Sequence, residues 1–86
     1  MKHADASALA RIDELLAAVR REQRLKERRP GVFYVKGQAF LHFHDDPAGI
    51  FGDLKHGRDW LRFAVNTKAE QKRLLHNIAK VLADSR

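Results

Sequence analysis

Phe40-Leu41-His42-Phe43-His44-Asp45-Asp46-Pro47-Ala48-Gly49 is the stretch whose reading decides the fold. Side chains alternate faces along a strand, so Leu41 and Phe43 point one way while Phe40, His42 and His44 point the other. The stretch ends in a turn. Pro47 fixes φ at the second turn position, Asp46 can bond the backbone from the first, and Gly49 suits the fourth. A second strand therefore runs back antiparallel from Ile50.

With Pro47 and Ala48 as the loop, His42 lies opposite Asp53, His44 opposite Phe51 and Leu41 opposite Leu54. Opposite residues share a face, so the apolar and polar sets each stay together, whereas a slip of one residue would place Leu54 among the histidines. Beyond it, His56-Gly57-Arg58-Asp59 is a polar turn and Trp60 to Val65 alternates. Gly57 and Arg58 as the loop set Leu61 opposite Leu54, Arg62 opposite Asp53 and Trp60 opposite Lys55, with Leu61, Phe63 and Val65 on the core face. A polar row His42, Asp53, Arg62 then crosses three strands. On the other side, Val32-Phe33-Tyr34-Val35 is β-rich and Lys36-Gly37 turns it into the central strand. Its register stays open: a two-residue loop puts Tyr34 on the face of Leu41, and a three-residue loop with a Gly37 bulge puts it on the face of His42.

Two helical patterns flank the strands. Residues 1–6 read as disordered, and Ser7 caps a helix over about 7–28 whose apolar stripe is Leu9, Ile12, Leu15, Leu16 and Val19. Its last turns, Arg20 to Arg29, are strongly helix-forming and solvated, and Pro30-Gly31 stops them. Thr67-Lys68-Ala69-Glu70 is a capping box opening a helix over about 67–83, with Leu74, Leu75, Ile78, Val81 and Leu82 on one face. The fold class is α+β: a two-layer single domain over 1–86, with an N-terminal helix, a four-stranded antiparallel β-meander (about 32–35, 39–45, 50–55 and 60–65) and a C-terminal helix. Both helices cover one sheet face.

Composition narrows the function. With 86 residues and no cysteine, the chain offers no disulfide, no thiolate metal site and no thiol nucleophile. No apolar N-terminal run or membrane span is present, so the reading is a cytoplasmic protein with no membrane association. A net charge of +6 favours acidic partners such as nucleic acid. The series Gly31-Val32-Phe33-Tyr34, Phe40 to Gly49 and Phe63-Ala64-Val65-Asn66-Thr67 resembles a small bacterial domain family with no characterised activity. That resemblance spans Gly31 to Leu82 and supplies neither a function nor a functional residue.

The open sheet face carries Phe40, His42, His44, Phe51, Asp53, Lys55, Trp60 and Arg62, more aromatic than a merely solvated surface requires. The favoured reading is a non-enzymatic binding module without a cofactor. Its partner is a nucleic acid or anionic ligand, with Trp60, Phe51 and Phe40 as stacking platforms and Lys55, Arg62 and Lys36 meeting phosphate, or else a protein, including a second copy of the chain. The alternative is an enzyme cleaving phosphodiesters at His42 and His44, either through a divalent metal held by His42, His44 and Asp53 or by metal-free acid–base catalysis with His42 oriented by Asp53. Of the serines, Ser7 and Ser85 lie near the termini and offer no central nucleophile. His3, His56 and His76 stand outside the predicted set.

Overall fold

The computed structural model describes residues 2–84; Met1, Ser85 and Arg86 lie outside the described residues. In chain order the elements are β1 (Lys2–His3), α1 (Ala6–Ala10), α2 (Asp13–Arg20), β2 (Lys26–Arg29), β3 (Val32–Val35), β4 (Gln38–Asp46), β5 (Gly49–His56), β6 (Asp59–Ala64) and α3 (Lys68–Asp84). The α+β class and its antiparallel, meander-like sheet are as the sequence predicts, and the sheet is larger: the meander runs β2-β3-β4-β5-β6, and β1 adds to β4 beyond the end of β3.

Turn chemistry sets the two central hairpins. The Asp46 carboxylate accepts from the Ala48 backbone N–H at 2.9 Å, closing the loop, and pairs Leu41 with Leu54, His42 with Asp53 and His44 with Phe51. Across the next hairpin Asp53 pairs with Arg62, Leu54 with Leu61 and Lys55 with Trp60. The first hairpin has the two-residue Lys36-Gly37 loop, with Tyr34 opposite Ala39, and then a bulge that restores Phe33 opposite Leu41. Phe40 is the extra residue of that bulge. Expected on the open face, it is only 7% exposed and belongs to the hydrophobic core, because a bulge re-aims the side chain it displaces.

The N-terminal third departs most from the pattern. The helix expected over about 7–28 ends at Arg20, after a break at Arg11 and Ile12, and its first cap is Asp5, whose carboxylate accepts from the Ala8 N–H at 2.9 Å. Lys26–Arg29 is an edge strand. Pro30-Gly31, read as a helix stop, is the tight turn between β2 and β3, with Gly31 at φ 76° in the conformation that a Pro-Gly turn demands at its third position. Glu27 fixes this arrangement: Arg20 donates to its carboxylate at 2.7 and 2.9 Å, and the Gly31 N–H donates at 3.0 Å. Ladder bonds and this tie outweigh helix propensities worth only a few tenths of a kcal/mol per residue. Residues 2 and 3, expected to be disordered, pair with Asp45 and His44.

The capping box at the start of α3 forms as predicted: the Glu70 N–H donates to the Thr67 hydroxyl and the Thr67 N–H to the Glu70 carboxylate, each at 3.1 Å. Asn66 ties this end to the sheet through bonds to the Ile50 N–H and carbonyl at 2.8 and 3.1 Å. Leu15, Leu16 and Val19 of α2 and Leu74, Ile78 and Leu82 of α3 share one core with Phe33, Leu41, Phe43, Ile50 and Leu54. Burying each large apolar chain contributes roughly 1.5–3 kcal/mol. Leu61, expected in that core, is 38% exposed because β6 is a sheet edge.

Candidate functional site

Strand pairing writes two rows across the face opposite the helices. One runs Val32, His42, Asp53, Arg62 and the other His3, His44, Phe51, Ala64. His42 and His44 come from alternate positions of β4, and β1 lies against the far end of that strand. Its His3 pairs with His44, and Ala4 donates its N–H to the Phe43 carbonyl at 3.0 Å. The imidazole of His3 thereby joins the other two, at ring-centre distances of 5.0 Å to His44 and 5.6 Å to His42. One donor atom from each of the three histidines lies within 4.8 Å of the others.

Asp53 stands behind this group. Its carboxylate accepts a bidentate pair from Arg62, Nε at 2.8 Å and Nη2 at 2.9 Å, and sits 3.2 Å from His44 Nε2. The fork of two parallel bonds is the strong form of such a pair. The Asp53 charge beside His44 favours its protonated form and opposes the effect of burial. Nδ1 of His44 and Nε2 of His42 are both shielded from solvent, with no hydrogen-bond partner among the described residues. The Lys2 backbone comes near enough to His44 to oppose its deprotonation, without reaching good hydrogen-bond geometry.

Burial pushes the pKa of His42 below its ordinary value, helped by His3 and His44 and opposed by Asp53. Burial also lowers His44, against the raising influence of Asp53. Both shifts favour the neutral imidazole, the state that ligates metals. Asp53 is held below the usual carboxylate range, chiefly by the Arg62 hydrogen bonds.

The remaining predicted residues divide. Trp60, 41% exposed, lies with its ring 5.0 Å from that of His42 and walls one side of the group. Of the three cations expected to meet phosphate, Arg62 is committed to its Asp53 pair and lies 5.7 Å over Phe51, Lys55 Nζ sits 5.0 Å over the Trp60 ring, and Lys36 lies away from this face, at the turn after β3. Phe40 has left the face for the core. Asp53 faces Arg62 and His44 as a supporting group, and His3 takes the place beside the histidines. A two-residue strand has no periodicity, so no pattern in the sequence marked His3.

In comparisons with known proteins, no family model, no curated protein and no solved structure matches this chain. The reading of the site therefore rests on its own chemistry. No helix among the described residues is long and apolar enough to cross a membrane.

Proposed function

We propose that this protein is a metal-binding domain that holds a divalent transition ion through His3, His42 and His44. The observation that supports it is the convergence of three imidazole donors within 4.8 Å, on a face where His42 and His44 each also carry a shielded nitrogen without a hydrogen-bond partner among the described residues. Imidazole suits zinc, copper and nickel, and three such ligands at roughly 2.0–2.1 Å leave one tetrahedral position for water or a small ligand. The Asp53 carboxylate, 3.2 Å from His44 Nε2, stands where an outer carboxylate commonly supports a metal-ligating histidine. Arg62 in turn holds Asp53 in place.

The test is competition for zinc against a chromophoric chelator, in wild type and in His3→Ala, His42→Ala and His56→Ala. Loss of binding in the first two variants and retention in the third is the expected result. Equal retention in all three would end the proposal.

A second reading, self-association, draws on β6. This sheet edge leaves its outer backbone unpaired and exposes Trp60 and Leu61 at 41% and 38%, a combination that natural proteins normally cover or charge. Leu61→Lys should convert a dimer to a monomer in light scattering, and a wild-type monomer at every concentration would exclude it.

A further inference from the structure

A separate group of cations lies at the opposite edge of the sheet. A recess of about 490 Å³ opens where the α2–β2 connection, β2 and the Lys36-Gly37 turn meet the end of α3, and Arg24, Lys26, Arg28 and Lys36 line it with no acidic residue among them. Arg24 is committed, bonded to the Glu22 carboxylate and to the Leu82 carbonyl. Among the described residues, Lys26, Arg28 and Lys36 have no carboxylate partner.

Two irregularities of the backbone bring cations to this one recess. Arg28 is the extra residue of the bulge in β2, between the pairs Glu27–Phe33 and Arg29–Val32, and its guanidinium lies 5.4 Å over the Tyr34 ring. Bulges re-aim side chains and recur beside functional sites. Lys36 holds φ 52°, the one non-glycine residue with positive φ among those described, at a turn position where Asn, Asp or Gly carries less strain. A chain that keeps a lysine there gives up local stability for its charge, a departure expected at functional positions.

We infer that this recess binds the phosphodiester backbone of a single-stranded nucleic acid, with Lys26, Arg28 and Lys36 as the phosphate contacts. Guanidinium and ammonium groups without competing carboxylates match a run of phosphates. The recess is too small for a rigid duplex but admits a flexible strand, and its Val35 and Gly37 lining offers an apolar surface for a base. This site lies outside the histidine group and does not depend on it.

Fluorescence polarisation of a labelled oligothymidylate of about 12 nucleotides tests the inference. Wild type should bind with an affinity that falls with salt, at a log–log slope near −2 for three phosphate contacts at roughly −0.7 each. Arg28→Gln and Lys36→Asn should each weaken binding and make the slope shallower by about 0.7 to 1. Lys36→Asn also relieves the positive-φ strain, so its melting temperature should hold or rise while its affinity falls, which separates lost contact from lost fold. Lys68→Gln with Lys72→Gln, equal or greater charge loss on α3, should leave affinity nearly unchanged. Equal loss in that α3 variant would reduce the effect to net charge and overturn the inference. So would displacement of the oligonucleotide by poly-glutamate as readily as by unlabelled strand, or aggregation of Arg28→Gln with binding intact, the mark of an edge merely protected by charge.

Discussion

Replacing Asp53 by Asn keeps the shape of the side chain and removes its charge. In the structure that carboxylate takes two bonds from Arg62 at 2.8 and 2.9 Å and faces His44 Nε2 at 3.2 Å. The amide can reproduce at most one acceptor of that set, so Arg62 loses its fork and His44 loses the anion that orients it. If His44 ligates through Nδ1, zinc affinity should fall about 10–100-fold, the usual cost of removing an outer carboxylate, equivalent to about 1.4–2.7 kcal/mol. Stability should change little, since Arg62 is half exposed and solvent screens the pair. The pKa of His44 should move further down, because Asp53 is the main influence raising it. Chelator competition gives the affinity, a thermal melt the stability, and imidazole NMR the titration. Unchanged zinc affinity in a folded Asp53→Asn protein would refute the assignment of Asp53 as the support of a metal ligand. Collapse of the fold would instead show that its role is structural.

Zinc at 100 times its dissociation constant should stabilise the fold by about 2.7 kcal/mol and raise the melting temperature by roughly 10–20 °C, an effect that His3→Ala removes; no shift on adding zinc would count against the site. Gly52→Ala should lower the melting temperature by roughly 4 °C or more, because the added methyl would stand 3.2 Å from both Leu74 Cδ2 and Phe43 Cε1 in the core. A neutral or stabilising result would mean that the helix–sheet contact is looser than described. Without metal, stability should decline as pH falls below about 6.5. His42 and His44 have folded values lowered by burial from the ordinary 6.5, so the unfolded chain takes up protons first; their contribution is whole above that pH and is lost as pH falls through the depressed values. Melts at about pH 7.5 and pH 5 check the sign, and a higher melting temperature at the lower pH would contradict it.

Where local chemistry and alternation agree, the sequence was enough. Asp46-Pro47-Ala48-Gly49 dictates one loop, and only one register keeps Leu54 with Leu41, so His42, Asp53 and Arg62 fall into line as read. Thr67 and Glu70 mark the start of α3 through bonds between near neighbours. The reading failed where distant contacts decide. Lys26 to Arg29 has the composition of a solvated helix and becomes a strand because Arg20 and Gly31 hold Glu27. Pro30-Gly31 is read equally well as a stop or a hairpin turn, and only the β2–β3 ladder settles which. Phe40 obeys the alternation and is turned inward by a bulge that no residue announces. Leu61 fits the core face, yet among the described residues no strand lies beyond β6 to cover it. The third histidine was hidden for the same reason: the place of His3 is set by its pairing with His44, 41 positions on in the 86-residue chain, and by nothing local.

The most direct measurement is a zinc titration followed through the imidazole NMR signals of all five histidines. The account predicts that His3, His42 and His44 move together and saturate at one zinc per chain, while His56 and His76 keep their positions. If His42 and His44 stay unmoved, or respond without His3, the three-histidine centre is contradicted.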